Sequence, residues 1–336
     1  MIKVAIIGFG GIVQAAHMPA YSQLESEGKV KVVAVCDVDS TRFDSQMEIN
    51  IGEGQQLLSA DVKRYTSWED MVANETFDMV DICVPTFLHA DLAIEMLRRG
   101  YHVLSEKPMS LCYEDCVRMC EAAKAADRKL MIGQCLRFGH EYQFLKKAIE
   151  ENTFGKVLSG TFRRLSGPPI WGWDNWFMDV SRSGGCLLDM HIHDIDLVRY
   201  LCGEPTAISC NTQDVYSKYD IAHSRLYYPE FSMLAIGDWS QQGVPFTSDY
   251  RVAFENATVD FAGGALTVYP REGEAYTPEW EPNNFYKDEI AFFAEMVENN
   301  LDNPQNPPES AALTVKLITA LRESAEKNGE KMAYHA

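Results

Sequence analysis

Val4-Ala5-Ile6-Ile7-Gly8-Phe9-Gly10-Gly11-Ile12-Val13 decides how the first third of this chain folds. A short apolar run leads into glycines and then into a helical stretch from about Ile12 to Leu24, the strand–turn–helix context that a dinucleotide-binding turn requires. Gly8 permits the tight turn, and Gly10 lets the backbone come close to a pyrophosphate. The helix that follows offers unpaired N–H groups and the positive end of its dipole. Val13 stands where the pattern's third glycine belongs, which implies slightly wider helix–strand spacing rather than loss of phosphate binding. The acidic residue that completes the pattern is Asp37, 27 residues after Gly10 at the end of a second strand, Val30–Cys36. A carboxylate there accepts hydrogen bonds from a ribose diol and repels a 2′-phosphate, so NAD is favoured over NADP. Arg42, five residues on, leaves NADP open.

Working outward, the alternation continues. Met79–Val84, Val103-Leu104 and Leu130–Gln134 read as strands, with helices at Trp68–Ala73, Leu88–Arg99 and Tyr113–Ala126. Gly100 sits where a helix C′ glycine belongs. Strands alternating with helices imply a mostly parallel sheet. The character changes after Gly139: a helix at His140–Glu151 is followed by period-two runs at Lys156–Arg164, Ala207–Val215, Ser232–Gln241, Tyr250–Phe254 and Thr258–Phe261. Few helices separate these runs, so a large, mostly antiparallel open sheet is expected. Helical patterns return at Phe285–Asn299 and Ala311–Asn328, joined by a proline-rich connector. The fold class is α/β, with a nucleotide-binding domain over 1–134 and a second α/β domain over 135–336. The C-terminal helix is expected to pack back on the first domain.

Of 336 residues, 46% are hydrophobic and 24% charged, an ordinary globular balance. The formal charge is −19, from 49 acids against 30 bases, so no basic stripe exists to neutralise nucleic-acid phosphates or an anionic membrane. The start, Met1-Ile2-Lys3-Val4, carries no leader pattern, and no apolar run reaches the ~18 residues of a membrane span. Nine scattered cysteines, an odd number, suit a reducing cytoplasm. Cys112, Cys116 and Cys120 fall at i, i+4, i+8 of one helix and read as buried small hydrophobes.

Ser105-Glu106-Lys107-Pro108-Met109-Ser110 follows the apolar run Tyr101–Leu104. Lys107 therefore belongs at the carboxyl edge of the parallel sheet, where an open α/β fold places its ligand, and Pro108 pins the turn that aims it. Further on comes Gly184-Gly185-Cys186-Leu187-Leu188-Asp189-Met190-His191-Ile192-His193-Asp194-Ile195-Asp196. With Gly8-Phe9-Gly10-Gly11, His17-Met18-Pro19-Ala20, Val84-Pro85-Thr86 and His89, these segments resemble the glucose–fructose oxidoreductase/inositol dehydrogenase (Gfo/Idh/MocA) family. The resemblance implies a Rossmann domain followed by an α/β domain whose open sheet assembles homodimers or homotetramers. It implies oxidation or reduction of a sugar, inositol or related polyol, with Lys107, Asp189 and His193 facing that substrate. Cofactor contacts are expected from Gly8, Phe9, Gly10, Gly11, Ile12 and Val13, from Asp37, from Val84, Pro85, Thr86 and His89, and from Glu106 with Lys107.

The chemistry of these residues agrees with that implication. On one helix Asp189 and His193 are i and i+4 and share a face. Taking hydride from a secondary alcohol requires its hydroxyl proton to leave, hence a base; His193 titrates near neutrality, and Asp189 would orient it or hold a neighbouring hydroxyl. Lys107 would bridge the substrate hydroxyl and the nicotinamide region. His191, His193, Asp194 and Asp196 are dense in metal-ligand types, but His191 and His193 at i and i+2 point apart on a helix, and no metal is expected. Trp171, Trp173 and Trp176, in a loop after Pro168-Pro169, either stack on a sugar ring or anchor the loop. Arg137 and His140 precede the second domain, at a hinge where the family resemblance implies substrate contacts. Two rivals remain: a redox-neutral glycosidase or epimerase using NAD transiently, and a non-catalytic NAD-dependent sensor.

Overall fold

Six parallel strands form the first sheet, whose inner strands are mostly apolar and buried on both faces. The computed structural model describes residues 1–49, 52–54 and 58–336. In chain order the elements of this part are β1 (Ile2–Ile7), a π-helical turn Val13–His17 leading into α1 (Met18–Ser26), β2 (Val30–Cys36), the antiparallel pair β3 (Glu48–Ile49) and β4 (Gly52–Glu53), and β5 (Lys63–Tyr65). Then follow α2 (Trp68–Asn74), β6 (Met79–Ile82), α3 (His89–Arg98), β7 (His102–Glu106), α4 (Tyr113–Ala126) and β8 (Leu130–Gly133). The strand order is β5-β2-β1-β6-β7-β8, with every pairing parallel. Helix ends follow local chemistry: the Ser67 hydroxyl accepts the Asp70 N–H at 3.1 Å to start α2, and Gly100, at φ 91°, ends α3.

The second part contains α5 (His140–Glu150), β9 (Val157–Leu165), α6 (Val180–Ser183), α7 (Gly185–Asp189), α8 (Ile192–Cys202), β10 (Ala207–Gln213), β11 (Ile221–Tyr227), β12 (Ser232–Asp238), β13 (Thr247–Phe254), β14 (Ala257–Ala262) and β15 (Ala265–Pro270). After α9 (Phe285–Asn299) and α10 (Pro308–Glu326), β16 (Met332–Ala333) is the last strand. Its eight strands run β15-β14-β13-β9-β12-β11-β10-β16. Among the described residues of this sheet only β9 and β12 pair in parallel, with Ser159 opposite Ser232 and Leu165 opposite Asp238. Alternate residues such as Ala222, Ser224 and Leu226 in β11 are buried while their neighbours face outward, the period-two signature of a sheet covered on one face. Helix α8 packs on β9 and β12.

Contacts divide the chain into two units: 1–135 with 171–176 and 284–312, and 136–170 with 177–283 and 313–336. Within the first, α9 packs on α1 and β1. Among the described residues no helix is long and apolar enough to cross a membrane.

Two expectations need adjustment, and one strand was not expected. Strand β7 runs through Glu106 rather than ending at Leu104. The polar strand β5 carries no apolar pattern to announce it; it forms the edge of the sheet beside β2. The segment holding Asp189 and His193 is not one helix: α7 ends at Asp189 and α8 begins at Ile192. The Cys186 carbonyl accepts the N–H groups of both Met190 (3.1 Å) and His191 (2.9 Å), and an i→i+5 bond of this kind widens the turn and breaks the α-helical run.

Candidate active site

Gly8 has φ 95°, and a Cβ there would overlap the Cys83 carbonyl oxygen beyond β6. Only glycine fits where β1 and β6 deliver their ends so close together. Above Gly10 a Cβ would meet nothing within 4 Å, which leaves the open approach a pyrophosphate needs. Gly11 is packed differently: a Cβ would overlap the Ile49 side chain and stand 3.7 Å from the Trp171 ring. Val13 is fully buried at the start of the π turn, and a π turn is wider than an α turn, in keeping with a position that lost its glycine.

Asp37 follows β2 directly. One carboxylate oxygen accepts the Phe9 N–H at 2.7 Å and the other accepts the Asp39 N–H at 2.9 Å. The acid is thus tied to the glycine turn itself, and each oxygen keeps a lone pair for a ribose hydroxyl. Arg42 is engaged nearby, 3.3 Å from Asp39 and 2.9 Å from the Met47 sulfur.

At the ends of β6 and β7, His89 joins two loops: Nδ1 lies 2.7 Å from the Pro108 carbonyl and Nε2 lies 2.7 Å from the Val84 carbonyl. Burial lowers its pKa, so the neutral ring donates to one carbonyl at a time. Its role is to hold the Val84-Pro85-Thr86 and Glu106-Lys107-Pro108 segments together. Lys107 is the first residue beyond β7, the Lys107–Pro108 peptide is cis, and the Lys107 N–H donates to Glu106 Oε2 at 3.0 Å. Two buried side-chain atoms near these strand ends, Thr86 Oγ1 and Gln134 Nε2, have no hydrogen-bond partner among the described residues. A buried polar group without a partner costs about 1–3 kcal/mol, and a bound dinucleotide would supply one. The open turn, the tied acid and these orphaned groups fit a dinucleotide.

Sequence reasoning passed over Gln134 and also Asp81, a carboxylate inside the fully buried strand β6. The signal was present, since a charge inside an apolar strand demands a partner. That partner is His17, 2.7 Å away.

In the second unit, Gly184 and Gly185 have φ 78° and 70°. A Cβ on Gly185 would overlap the Lys218 carbonyl oxygen, so the close turn expected before Asp189 is real. Asp189 is buried and His193 half-buried, now on separate short helices. The other ligand-type residues have structural partners. His191 Nε2 lies 2.8 Å from the Ser224 hydroxyl, and burial pulls its pKa down to about 3. Asp194 receives Arg164 at 3.1 Å through both nitrogens. Asp196 receives Arg137 in a two-pronged pair at 2.8 and 2.7 Å.

Arg137, expected at a hinge with substrate contacts, is 2% exposed; its guanidinium lies 5.1 Å from the Tyr200 ring centroid, and the pair with Asp196 clamps the inside of the unit. His140 is exposed, with Nδ1 2.7 Å from the Glu281 carbonyl. Trp171 lies over the glycine turn, and Trp173, 44% exposed, and Trp176 flank Asp174 and Asn175, whose φ values of 48° and 50° are left-handed.

The glycine turn, the acid after β2 and the lysine after β7 place the first unit among dinucleotide-binding Rossmann domains. A family model described as an oxidoreductase family with an NAD-binding Rossmann fold matches residues 2–134, and one described as the GFO/IDH/MocA C-terminal domain matches residues 142–269. The chain belongs to the Gfo/Idh/MocA oxidoreductase family. It is 29% identical over 210 residues to 2,7-anhydro-N-acetylneuraminate hydratase of Escherichia coli, covering 61% of this chain and 50% of that one. It is 39% identical over 145 residues to myo-inositol 2-dehydrogenase of Thermotoga maritima, covering 42% and 41%. The match thus spans about half the length of these relatives. D-xylose 1-dehydrogenase (NADP(+)) 2 of Haloferax volcanii is 27% identical over 330 residues, 96% of each chain. Two solved structures share the fold. One is an oxidoreductase from Agrobacterium radiobacter in complex with NAD+, L-tartaric acid and magnesium (TM-score 0.82, 19% identity, 99% of this chain and 98% of that one). The other is aldose-aldose oxidoreductase from Caulobacter crescentus complexed with glycerol (TM-score 0.83, 21% identity, 99% of each chain).

Proposed function

We propose that this protein is an NAD-dependent dehydrogenase or reductase acting on a secondary hydroxyl of a sugar, inositol or related polyol. The observation that carries this reading is Lys107, set immediately beyond β7 with its peptide N–H fixed by Glu106, on the same sheet edge as the glycine turn and Asp37. The inositol and xylose dehydrogenases among the relatives support the substrate class. The tied carboxylate of Asp37 and the engagement of Arg42 by Asp39 support NAD over NADP.

Gly8, Gly10 and Gly11 would hold the pyrophosphate, Asp37 the ribose diol, and Thr86 Oγ1 and Gln134 Nε2 further polar groups of the dinucleotide. When bound, NAD supplies a hydride acceptor for the carbinol carbon. Lys107 orients the reacting hydroxyl through its ammonium group. His193 takes the hydroxyl proton at a ring nitrogen, and Asp189 holds His193 or an adjacent hydroxyl; in reduction the proton returns from His193 and Lys107 polarises the carbonyl. Lys107→Met is expected to abolish NADH formation while NAD+ still raises the melting temperature. Near-normal kcat in that variant would refute the role of Lys107.

The hydratase among the relatives favours a second reading, a reaction without net redox change. NADH absorbance that accumulates with substrate supports the dehydrogenase; absorbance that stays flat while product forms supports the alternative.

A further inference from the structure

The first unit contains a buried polar cluster that the proposed chemistry does not use. His17 closes the π turn ahead of α1 and is 1% exposed. Its Nδ1 lies 2.7 Å from Asp81 Oδ2 on β6, and its Nε2 lies 3.0 Å from Glu106 Oε1 on β7. The Tyr21 hydroxyl donates to the same Asp81 oxygen at 2.9 Å, and the Cys83 thiol donates to the other at 3.3 Å. From α9, the Tyr286 ring stands 5.9 Å from the His17 ring, and Glu289 is the acid of that helix near Tyr21 and Tyr286.

A ring with an ionised carboxylate at each nitrogen satisfies both only if both nitrogens carry protons. Burial opposes that charge, but Asp81 foremost, with its hydrogen bond, outweighs it, and the His17 pKa stands well above the usual histidine value. As an imidazolium the ring would donate to both carboxylates and so bind two neighbouring strands.

The contact on β7 matters most. Glu106 uses Oε1 for His17 and Oε2 for the Lys107 N–H. A continuous chain of hydrogen bonds thus runs from Asp81 through His17 and Glu106 to the peptide that carries Lys107. We propose that His17 is a positioning residue for Lys107: by fixing the rotamer of Glu106 it holds the Lys107 peptide, and so the base of the ammonium side chain, in its place beyond β7. The role rests on the reading of Lys107 as the substrate-facing lysine.

Two measurements on the full-length chain with NAD+ bound test the geometry without turnover. In 15N spectra of the wild type at pH 8, both His17 nitrogens are expected to report as protonated; a neutral ring would overturn the proposal. In His17→Gln and Glu106→Gln, amide exchange at Lys107 is expected to accelerate about 10- to 100-fold, the worth of a hydrogen bond to a charged group, with the Ile6 and Val35 amides of the same sheet unchanged. Unchanged exchange at Lys107, or equal acceleration at all three amides, would overturn it.

A third measurement uses whichever of myo-inositol, D-xylose and D-glucose gives NADH with the wild type. There His17→Gln is expected to lower kcat at least tenfold with the KM for NAD+ unchanged. If Lys107→Met is inactive while His17→Gln keeps full kcat, the positioning role alone fails; if Lys107→Met keeps full kcat, the catalytic reading fails first. His17, Asp81 and Cys83 also present ligand atoms within 4.8 Å of one another. One equivalent of zinc in the purified wild type, lost in Cys83→Ser, would replace the imidazolium by a metal and overturn the proposal.

Discussion

Asp37 shows how much one side chain can be asked to do. Its carboxylate closes the glycine turn through the Phe9 N–H and starts the following turn through the Asp39 N–H, and in the proposed function it also receives the ribose. Asp37→Ala is expected to weaken NAD+ binding about tenfold or more, the scale of one lost hydrogen bond to a charged group. The same change should narrow the gap between NAD+ and NADP+, because the negative charge facing a 2′-phosphate is gone. Isothermal titration with both cofactors checks this, and an unchanged NAD+ Kd with an unchanged ratio would refute it. Asp37 was readable from its place after an apolar strand. The pairing of Asp81 with His17 was not, because those residues are 64 apart in sequence and meet only once β6 lies beside β1.

Helix α8 is the element where motif and architecture intertwine. Its acids are not ligands in waiting: Asp194 anchors β9 through Arg164, and Asp196 holds Arg137 while also accepting the Thr314 hydroxyl at 2.7 Å. Breaking a buried pair by removing one partner costs more than deleting both, because the survivor stays buried and charged. Asp196→Ala is therefore expected to destabilise the protein by about 3–5 kcal/mol, and the double variant Arg137→Leu, Asp196→Ala to recover much of that loss. Urea unfolding reads both, and a double variant no more stable than the single one would contradict the argument. The break between α7 and α8 escaped sequence reading because it depends on two amides sharing the Cys186 carbonyl, and no residue type in the motif announces that. By contrast, α4 and α9 were legible end to end, since Tyr113–Ala126 and Phe285–Asn299 carry continuous helical periodicity.

Across the whole molecule the cysteines are buried or partly buried, and apart from Cys83 in its polar cluster they mostly fill apolar space. Cys36, Cys83, Cys116, Cys135, Cys186 and Cys210 are buried, and Cys112, Cys120 and Cys202 are partly so. Burial pushes the thiols of Cys36, Cys120 and Cys202 up to about 12 and that of Cys210 to about 11. An unfolded thiol ionises near 8.5, so the folded state binds the protons more tightly. Its advantage is intact below about pH 8.5 and is lost as pH rises toward 11–12. The melting temperature is expected to fall over that range. At pH 8 a thiol reagent is expected to label quickly no more than the three partly exposed cysteines, and all nine after unfolding in urea. Rapid labelling of five or more in the native protein would contradict this packing. The body of the parallel sheet was legible because β1, β2, β6 and β8 are dominated by apolar residues, whereas its polar edge strand β5 was not. The second sheet was legible only in part: β11, Ile221–Tyr227, interleaves His223 and Arg225 with its buried residues and reads as polar chain until its neighbours are known.

The central place of β9 in that second sheet has a consequence for how the chain is made. Both of its neighbours, β12 and β13, lie beyond three helices and two further strands. A nascent chain released anywhere before Ser232 leaves β9 with two bare edges, and bare edges are where strands from other molecules add. The β10–β11–β12 meander, whose strands are sequential neighbours, needs only local closure. It is therefore the part of this sheet that can assemble first on the ribosome and offer β9 the edge it lacks.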